Sequence, residues 1–523
     1  MSPQAGEDND ILRFVERACR QDPQVPALIF EDGVVVTRER LWSDIESFAG
    51  YLESRVQPNE RVAIMLGNRS EFMVTWLAVM ACRAVLVSMN PAAKSHDARH
   101  ILQDADVRLV VVDAEHAELF RELQAECPNL QEIVVVEGDE PGGLSAYRGQ
   151  WSGERSPDAS RDITNVYYTS GTTGPPKGCM VDHGYWLHFA EQVLDVFALG
   201  EKDRMLCCLQ FFYNDPPWQL LASLKARTSL VVMRRFSVSR YWGVVRDNDV
   251  TVLFGIASTA LLLLRAPPSP EDRHHKVRLA IQIGIPAALH QELVDRWGVP
   301  WVEGYGLTET GLLTVMPTDL AEEMIGSSSI GRVCSGVAVR VVDTDDHDVA
   351  VDEIGEMIFQ APGLMRGYLN RPDATQEIFR GGWFHSGDLG RMNERGFLYF
   401  QGRTKDIIRR SGENIAAAEV ENVLRSHPKV VEAAAVPSPD DLRGEEVKVF
   451  VLLAPGESST TVTPSELVEF SESRLARYKV PRFVEYQTED FERTPSMRVK
   501  KQVLDRSHSD ASRVWDREKV LGW

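Results

Sequence analysis

The sequence predicts an α/β protein, with a large N-terminal domain of layered α/β subdomains and a small α+β domain at the C-terminus. The chain has 523 residues, which is more than one typical domain holds, so at least two cores are expected. Short apolar runs alternate with helix-compatible segments over roughly the first 400 residues, as in sheets of buried parallel strands covered by helices. Near Gly402 this pattern changes, which indicates a second, smaller domain.

Four apolar runs predict buried strands of the first domain. They are VAIML at 62–66, LVVVD at 109–113, EIVVV at 132–136 and SLVVM at 229–233. The spacing of apolar residues predicts helices over 71–82 and 288–297. The run ALLLL within 257–264 is too short to cross a bilayer and is interpreted as a buried helix or strand, so no membrane span is expected.

Two breaks in the pattern indicate where subdomains and domains meet. Residues 138–158 are polar and rich in Gly and Pro, which is typical of a surface connection. The second break falls at 402–406, after short predicted strands with Gly turns. A helix is predicted over 416–426, and the residues from this break to the C-terminus are expected to form the small α+β domain.

The composition disfavours several classes of protein. With 77 acidic and 57 basic residues the formal net charge is −20, which works against binding to nucleic acid or to anionic membranes. The seven cysteines are scattered, include no CxxC pair and are odd in number, as is typical of reduced thiols. The first residues, MSPQAGEDND, lack the basic start and apolar core of a signal peptide. We therefore expect a cytoplasmic protein without a nucleic-acid partner.

The segment YTSGTTGPPKG at 168–178 has the composition of a phosphate-binding loop, and a β-prone run at 165–168 leads into it. Glycines let backbone N–H groups approach a phosphate, hydroxyls add donors and Lys177 adds charge. The spacing is not that of a Walker A motif. A polar surface turn is the alternative interpretation. The candidate nucleotide ligands of the loop are Thr169, Ser170, Gly171, Thr172, Thr173 and Gly174.

This loop resembles the signature loop of the ANL adenylate-forming superfamily, which comprises acyl- and aryl-CoA synthetases, luciferases and peptide-synthetase adenylation domains. Three further segments match motifs of that family in the family's own order: GYGLTET at 304–310, SGDLG at 386–390 and GRTKDIIRRSGENIAAAEVE at 402–421. The resemblance covers about residues 20–505. The stretch FSVSRYW, which begins at Phe236, is similar to crotonobetaine- and fatty-acid-type CoA ligases.

The resemblance implies domain boundaries and a domain rotation. Residues 1–402 would form the N-terminal adenylation domain, 403–405 the hinge and 406–523 a mobile C-terminal domain. In this family the small domain rotates after adenylation, so that one site serves two half-reactions. The pivot falls on Lys405. An exposed turn lysine without a role is the alternative interpretation of that position.

The resemblance also implies a role for each motif residue. Glu309 would hold the magnesium ion that neutralises the triphosphate, with Thr172 as a second metal ligand and Lys177 as a catalytic charge at the phosphates. Thr308 would contact the phosphate that becomes AMP, and Tyr305 the adenine or the activated group. The other implied nucleotide-binding residues are Asp388 at the ribose, Arg403 at ribose or phosphate, Gly304 and Gly306, and Gly284, Ile285 and Pro286 in place of the family's adenine loop.

One position departs from the family's pattern. The family carries a Pro-x-Gly-Lys element near its C-terminus, whose lysine stabilises the charge that develops during adenylation. Aligned on the Thr-Pro pair at 494–495, the glycine is Met497 and the lysine is Arg498. A planar guanidinium is not equivalent to a compact ammonium. Three explanations stay open: Arg498 contacts the α-phosphate or the attacking acid in the lysine's place, Lys500 or Lys501 takes over, or the substrate is unusual.

The expected substrate pocket is also distinctive. Where many relatives have Pro-Leu-Phe-His, this chain has QFFYNDPPW at 210–218. Tyr213 stands at the position that gates acyl access in relatives, and Asn214 and Asp215 add polarity beside Trp218. A polar or amine-bearing substrate would suit this stretch. In the alternative interpretation, the aromatic residues belong to the core and Asn-Asp-Pro-Pro is a turn.

The resemblance implies that a carboxylic acid is adenylated by ATP with release of pyrophosphate and is then transferred to CoA as a thioester. ATP, Mg²⁺ and CoA are the implied cofactors and co-substrates. The alternative is an adenylate-forming ligase of specialised metabolism that makes an amide or N–N bond, including a nitrite-activating diazotase. A non-catalytic nucleotide-binding protein is disfavoured by Lys177, Glu309, Asp388 and Arg403. A carrier protein is a further candidate acceptor, and a monomer or homodimer is expected.

Overall fold

The computed structural model describes residues 10–138, 141–154, 159–169, 176–256, 258–410, 413–440, 442–493, 499–508, 510 and 512–521. The chain separates into two compact units, Met1–Ala338 with Gln360–Phe384, and Val339–Phe359 with His385–Trp523. Both units combine helices and strands. The predicted fold class, a large α/β domain followed by a smaller domain, is confirmed.

Helices occur throughout both units, and the three predicted helical segments fold as expected. In chain order the helices are α1 (Ile11–Gln21), α2 (Arg38–Leu52), α3 (Ser70–Ala81), α4 (Ser95–Asp104), α5 (Ala117–Gln124), α6 (His183–Phe197), α7 (Asp215–Lys225), α8 (Val238–Asp247), α9 (Ser258–Arg265), α10 (Ala287–Trp297), α11 (Pro372–Ile378), α12 (Ala417–Arg425), α13 (Pro464–Glu472) and α14 (Arg517–Leu521). The helices predicted over 71–82, 288–297 and 416–426 correspond to α3, α10 and α12. The ALLLL run lies in α9, so it is a helix and not a strand. No described helix combines the length and the apolar character that crossing a bilayer demands.

Strands form the sheets of both units. In chain order they are β1 (Pro26–Phe30), β2 (Val35–Thr37), β3 (Arg61–Met65), β4 (Val85–Ser88), β5 (Val107–Asp113), β6 (Glu132–Val136), β7 (Ile163–Thr169), β8 (Lys177–Asp182), β9 (Met205–Cys207), β10 (Leu230–Val232), β11 (Val252–Ile256), β12 (Leu279–Ile283), β13 (Trp301–Leu307), β14 (Gly311–Val315), β15 (Ser329–Val333), β16 (Ala338–Val342), β17 (Gly355–Gln360), β18 (Gly367–Tyr368), β19 (Phe384–Met392), β20 (Leu398–Arg403), β21 (Ile407–Arg410), β22 (Glu413–Ala416), β23 (Val430–Asp440), β24 (Gly444–Leu453), β25 (Phe483–Gln487) and β26 (Val514–Asp516). The four predicted apolar strands are β3, β5, β6 and β10.

The larger unit contains mainly parallel sheets. One has the order β18-β8-β7-β4-β3-β5-β6, in which β3 to β7 run parallel. In the other, the strands follow the order β15-β14-β13-β12-β11-β9-β10-β1-β2, with β1 and β9 to β13 parallel. Residues Leu109, Val110, Val111 and Val112 of β5 are at most 1% exposed. Because both faces of these strands are covered, their sequences are continuously apolar and do not alternate.

Helix α3 fixes the strand that leads into the predicted phosphate loop. Every residue of this helix is buried, as its sequence, SEFMVTWLAVMA, offers no continuous polar face. Trp76 donates through Nε1 to Oδ1 of Asn165 in β7 at 2.9 Å. The strand β7 is therefore held both by the sheet and by a helix packed on it.

The predicted surface connection at 138–158 is anchored to the larger unit over part of its length. Glu71 in α3 is 3% exposed, and its Oε1 accepts the backbone N–H groups of Gly142 at 3.1 Å and Gly143 at 2.8 Å. Further along, the ring of Trp151 meets that of Trp42 edge-on at 6.3 Å between centroids. The described residues of this connection thus follow the surface of the unit closely.

The smaller unit has a core of its own, which confirms the predicted α+β domain. Its larger sheet has the order β22-β21-β24-β25-β26, with β23 paired to β24. Val420 and Leu424 of α12 and Leu467 of α13 belong to one apolar cluster with Val449 and Val451 of β24. The helices bury their apolar faces against this sheet, which is how a small domain obtains a core.

A buried ammonium group ties the C-terminal segment to the sheet of the smaller unit. Lys448 in β24 is 0% exposed, and its Nζ lies 2.9 Å from Oε2 of Glu485 in β25. The same nitrogen donates to the carbonyl oxygens of Asp505 at 2.8 Å and Ser507 at 2.6 Å. All three contacts are charge-assisted, so the buried charge is both paired and hydrogen-bonded.

Candidate active site

The segments that flank the predicted phosphate loop are held by one helix. Before the loop, the hydroxyl of Tyr168 donates to Oδ2 of Asp104 at 2.8 Å. After it, Nε2 of His100 lies 3.2 Å from the carbonyl oxygen of Pro176. Both contacts come from α4, so this helix fixes the loop at its two ends. The predicted ligands Ser170, Gly171, Thr172, Thr173 and Gly174 lie outside the described residues.

Tyr368 contacts both charged residues of the predicted phosphate site. Lys177 is the first residue of β8 and pairs with Thr169 at the end of β7. Its Nζ lies 5.1 Å from the centroid of the Tyr368 ring, within the range of a cation–π interaction. The hydroxyl of Tyr368 donates to Oε1 of Glu309 at 2.9 Å. One aromatic side chain therefore links the predicted phosphate lysine to the predicted metal ligand.

The segment GYGLTET joins β13 and β14 through a tight turn. A Cβ atom at Gly306 would lie 2.2 Å from the carbonyl oxygen of Gly311, so only glycine permits this approach. The hydroxyl of Thr310, which is buried, accepts a backbone N–H within the turn at 3.1 Å. The carbonyl oxygen of Glu309 accepts the backbone N–H of Met365 at 2.8 Å. The position of Glu309 is thus fixed by its main chain.

The carboxylate of Glu309 is suited to a hard cation. Its Oε1 accepts a hydrogen bond from the neutral hydroxyl of Tyr368. No basic side chain in the described parts of the chain forms an ion pair with Glu309. A carboxylate with unneutralised charge is the ligand that Mg²⁺ prefers, so the residues present fit the magnesium ion that the sequence predicts.

A chain of hydrogen bonds connects the GYGLTET turn to the predicted substrate pocket. Tyr185 in α6 donates through its hydroxyl to the carbonyl oxygen of Thr308 at 3.0 Å. Asn214 donates through Nδ2 to the same hydroxyl at 2.8 Å. Burial raises the pKa of Tyr185 well above its ordinary value, so the phenol is neutral and both donates and accepts.

The three predicted pocket residues differ in burial. Trp218 is 0% exposed, and its ring packs against Phe189 and Phe254 with centroid distances of 5.0 Å and 5.1 Å. Tyr213 and Asn214 are only half-buried. The ring of Trp218 is therefore part of the core, whereas the other two side chains stay accessible to a small molecule.

Asp215, at the start of α7, is a carboxylate without a basic partner among the described residues. Its Oδ1 accepts the indole N–H of Trp218 at 3.3 Å. Burial raises its pKa to about 6. Burial and the charge of Asp215 together raise the pKa of Tyr213 to about 12. The aromatic residues and this carboxylate thus form one partly buried cluster.

Glu303 in β13 tethers the predicted adenine loop. The side chain is 8% exposed. Its Oε1 accepts the backbone N–H of Gly284 at 2.5 Å, and its Oε2 accepts that of Ile285 at 2.6 Å. Gly284 has a φ of +84°, in the left-handed region that favours glycine. Burial raises the pKa of Glu303 to about 8. A single carboxylate thus joins residues 284–286 to the strand that carries the GYGLTET motif.

In the smaller unit, Asp388 and Arg403 lie opposite each other in the antiparallel strands β19 and β20. Asp388 is 1% exposed, and its Oδ1 lies 2.9 Å from Nε of Arg403. The backbone N–H of Asp388 donates to the hydroxyl of Ser386 at 3.0 Å. The predicted hinge residue Lys405 lies in a short helical turn, Thr404–Asp406. The structure therefore pairs two of the predicted nucleotide ligands directly.

The lysines considered as replacements for the family's lysine are both engaged with carboxylates. Lys500 pairs with Glu492. Lys501 has its Nζ 2.7 Å from Oε1 of Glu421 and 3.4 Å from Oδ2 of Asp406. Met497 and Arg498 lie outside the described residues.

Three residues of the site were not found from the sequence: Tyr368, Tyr185 and Glu303. Glu303 had a local signal, because an acidic residue inside the apolar strand WVEGYGL requires a partner when it is buried. The two tyrosines gave none, since an aromatic residue in a strand or helix is ordinarily read as core. Their roles arise from contacts between segments that are far apart in the chain.

Comparison with known proteins agrees with this geometry. The sequence profile of the AMP-binding enzyme family matches residues 15–369, and that of the AMP-binding enzyme C-terminal domain matches residues 419–498. The crotonobetaine/carnitine–CoA ligase of Citrobacter koseri is 30% identical over 501 residues, which cover 91% of this chain and 95% of that ligase.

Solved structures show the same fold over almost the whole chain. ATP-bound MatB from Rhodopseudomonas palustris has a TM-score of 0.84 at 25% identity, covering 94% of this chain and 97% of MatB. O-succinylbenzoate coenzyme A synthetase (MenE) from Bacillus subtilis, in complex with AMP, has a TM-score of 0.83 at 26% identity, covering 94% of this chain and 98% of that one.

The fold and the site together define an adenylate-forming enzyme. The profile match extends over more than half of the chain, and it includes the hairpin at Lys177 and the turn at Glu309. The chain belongs to the AMP-binding enzyme family. It is a ligase that activates an acid with ATP.

Proposed function

We propose that the chain is an acid–CoA ligase whose substrate is a polar carboxylic acid that carries an amino or quaternary ammonium group. The acid is adenylated by ATP, pyrophosphate leaves, and transfer to CoA gives the acyl-CoA thioester. The observation that carries the choice of substrate is Asp215, a carboxylate beside aromatic rings without a basic partner among the described side chains. Relatives named for crotonobetaine and carnitine, which are quaternary ammonium acids, support this choice.

The physical reason is the cost of an unpaired carboxylate. Removing a charged group from water is unfavourable unless a counter-charge compensates for it. An ammonium group of the substrate would supply that charge, and the half-buried ring of Tyr213 would favour a cation further. A purely apolar acyl chain would displace water from Asp215 and leave it unpaired. A second carboxylate on the substrate would be repelled.

In the proposed adenylation step, a carboxylate oxygen of the acid attacks the α-phosphorus of ATP. The bond from that phosphorus to the oxygen bridging to the β-phosphate breaks, and pyrophosphate leaves with the electron pair. We assign Lys177 and Thr308 to the phosphates, and the loop at 169–174 to phosphate N–H and hydroxyl contacts. Glu309, oriented by Tyr368, would hold Mg²⁺ together with Thr172. When bound, Mg²⁺ would neutralise the triphosphate oxygens.

The rest of the nucleotide is assigned to backbone and ribose contacts. Residues 284–286, Gly304, Tyr305 and Gly306 would surround the adenine. Asp388 would accept hydrogen bonds from the ribose hydroxyls, and Arg403 would contact ribose or phosphate. The Asp388–Arg403 ion pair, 2.9 Å long, supports a shared role because it holds both side chains in one place.

In the thioester step, the sulfur of CoA attacks the acyl carbon, the bond from that carbon to the phosphate oxygen breaks and AMP leaves. The thiol proton passes to solvent. We infer that residues 406–523 rotate about Lys405 between the two steps, as the hinge at 403–405 and the N-terminal domain at 1–402 imply. Arg498 is assigned the role of the family's lysine. Lys500 and Lys501, which already contact carboxylates, are less available for it.

We further infer a cytoplasmic enzyme that acts as a monomer or homodimer. The net charge of −20 and the free thiols of all seven cysteines support this environment. A carrier protein in place of CoA is the other acceptor to be tested.

ATP–pyrophosphate exchange with a panel of acids tests the proposed function. The panel contains carnitine, crotonobetaine, short ω-amino acids, neutral alkyl acids of matched length, dicarboxylic acids and nitrite. We expect exchange with the ammonium acids, and mass spectrometry should then detect a thioester when CoA is added. Exchange with neutral acids alone would exclude the proposed substrate class. AMP release that requires nitrite and an amine would establish the diazotase alternative instead.

A further inference from the structure

Glu303 satisfies every backbone N–H of the connection between β12 and α10, which consists of residues 284–286. Its Oε1 accepts from Gly284 at 2.5 Å and its Oε2 from Ile285 at 2.6 Å. Pro286 has no N–H to donate. A single side chain from a different strand therefore accounts for the N–H hydrogen bonds of the whole connection.

The conformation of this connection depends on that acceptor. Gly284 adopts φ +84°, and Ile285 is 9% exposed. Two consecutive N–H groups that meet one carboxylate form a compact anion-binding turn. If the acceptor were lost, each of the two N–H donors would be left without a partner in a buried place, which is unfavourable. The backbone would then rearrange until the N–H groups reached water.

We propose that Glu303 is a positioning residue for the nucleotide, which fixes residues 284–286 beside Gly304 and Tyr305 without contacting ATP itself. This inference rests on the proposed function, in which both segments surround the adenine. In the sheet, Gln282 of β12 lies opposite Glu303 of the parallel strand β13. The connection therefore leaves the sheet at the edge where Gly304 and Tyr305 follow.

The geometry requires a carboxylate of this length. Glutamine has the same shape, but its NH₂ group would face one of the two N–H donors and leave it without an acceptor. Aspartate keeps the charge but is one methylene shorter, so it reaches one donor more readily than two. No basic side chain of the described residues pairs with Glu303. Its role is therefore to accept the two N–H groups and not to form an ion pair.

The chain offers a control in Glu71, which differs from Glu303 in that its Oε2 also lies 3.0 Å from Nε of Arg69. This residue is also buried, at 3% exposure, and its Oε1 also accepts two consecutive backbone N–H groups, those of Gly142 and Gly143. No role in nucleotide binding is assigned to that segment. Glu71→Gln therefore measures the general effect of losing a buried carboxylate that accepts two backbone N–H groups. Any additional loss of ATP binding in Glu303→Gln is then specific to the nucleotide site.

The experiment uses the full chain with Glu303→Gln, Glu303→Asp and Glu71→Gln. At a pH above the raised pKa of Glu303, which is about 8, the side chain is a carboxylate that accepts at both oxygens, so the measurements are made there. The dissociation constant of ATP is measured by isothermal titration, and KM and kcat by ATP–pyrophosphate exchange. The melting temperature is recorded for each protein.

For Glu303→Gln we expect ATP to bind about tenfold more weakly, which corresponds to the loss of about one hydrogen bond to a charged group. The KM of ATP should rise in parallel, whereas kcat and the KM of the acid should change less than about twofold. The dissociation constant and the KM of ATP for Glu303→Asp should lie between those of wild type and Glu303→Gln.

The outcomes distinguish this inference from the function on which it rests. Unchanged ATP binding in Glu303→Gln, or an equal loss in Glu71→Gln, would overturn the positioning role. If Glu303→Gln does not fold, Glu303→Asp decides, because wild-type ATP binding in that folded variant also contradicts the inference. Wild-type protein that does not bind ATP would refute the proposed function instead.

Discussion

The hydroxyl of Tyr368 donates a hydrogen bond of 2.9 Å to Oε1 of Glu309, across 59 positions of the sequence. The ring of the same tyrosine lies 5.1 Å from the Nζ of Lys177. The contact depends on the short strand β18, in which Tyr368 pairs with Cys179 of β8. Both charges proposed to act on the triphosphate are therefore held by one side chain.

Substitution of Tyr368 tests this arrangement. Tyr368→Phe keeps the ring under Lys177 but removes the hydrogen bond to Glu309. We expect kcat/KM for ATP to fall about tenfold, since hydrogen bonds to charged groups contribute about 1.5–3 kcal/mol. In Tyr368→Ala, which also removes the ring, kcat/KM for ATP should fall further. ATP–pyrophosphate exchange at varied Mg²⁺ measures both. Wild-type kinetics in Tyr368→Phe would show that the contact has no role in orienting Glu309.

The charge of Asp215 should control the choice of substrate in a pH-dependent way. Because burial raises its pKa to about 6, the carboxylate is charged above that pH and becomes neutral below it. The preference for an ammonium acid over its neutral isostere should therefore be full near pH 8 and disappear as the pH falls through about 6. In Asp215→Asn the preference should be small at every pH. The ratio of kcat/KM for carnitine and a matched neutral acid, measured from about pH 5 to pH 8, checks this. A wild-type ratio that does not vary with pH would contradict it.

Gly306 should tolerate no larger residue. A Cβ atom there would lie 2.2 Å from the carbonyl oxygen of Gly311, which is backbone and cannot move aside alone. We expect Gly306→Ala to lower the free energy of unfolding by about 2 kcal/mol or more. Gly243 in α8 is the matched control, because a Cβ atom added there would meet nothing within 4 Å. Gly243→Ala should raise stability by about 0.5–1 kcal/mol. Urea denaturation measures both, and equal stability of Gly306→Ala and wild type would disprove the close approach.

Lys448 should be essential for the stability of the smaller unit. Lys448→Met removes the buried partner of Glu485, which is 3% exposed and keeps only the exposed guanidinium of Arg513, 2.7 Å from its Oε1. Loss of one member of a buried ion pair typically costs about 3–5 kcal/mol. Lys225→Met, which removes the exposed pair with Glu191, should cost less than about 1 kcal/mol. Limited proteolysis should cleave the C-terminal segment of Lys448→Met first. Resistance equal to that of Lys225→Met would contradict the prediction.

Much of the fold was predictable because its signals are local. The runs at 62–66 and 109–113 are apolar throughout, as expected for strands covered on both faces, and they are β3 and β5. Helix α3 was predictable from its length and composition. The run ALLLL was ambiguous between helix and strand, because a short apolar stretch has no diagnostic period. Its position in α9 was decided by packing.

The candidate site was predictable only where a motif is contiguous. Lys177 and Glu309 were found from YTSGTTGPPKG and GYGLTET, since each lies within one short segment. Tyr368 and Tyr185 were not found, because each acts on a residue more than fifty positions away. Those contacts are set by the register between strands and by the packing of α6 on the turn. Neither can be predicted from the spacing of residues within one segment.

By itself the sequence determined the α/β class, the order of the elements and the chemical type of the site, because periodicity, glycine turns and contiguous motifs act over a few residues. Only the tertiary structure decided that Tyr368 contacts both Lys177 and Glu309. The same holds for Glu303, which accepts the backbone N–H groups of the connection after β12. These contacts follow from which strands are neighbours and in what register. Such long-range pairings are set by the packing of the whole unit and not by any one segment.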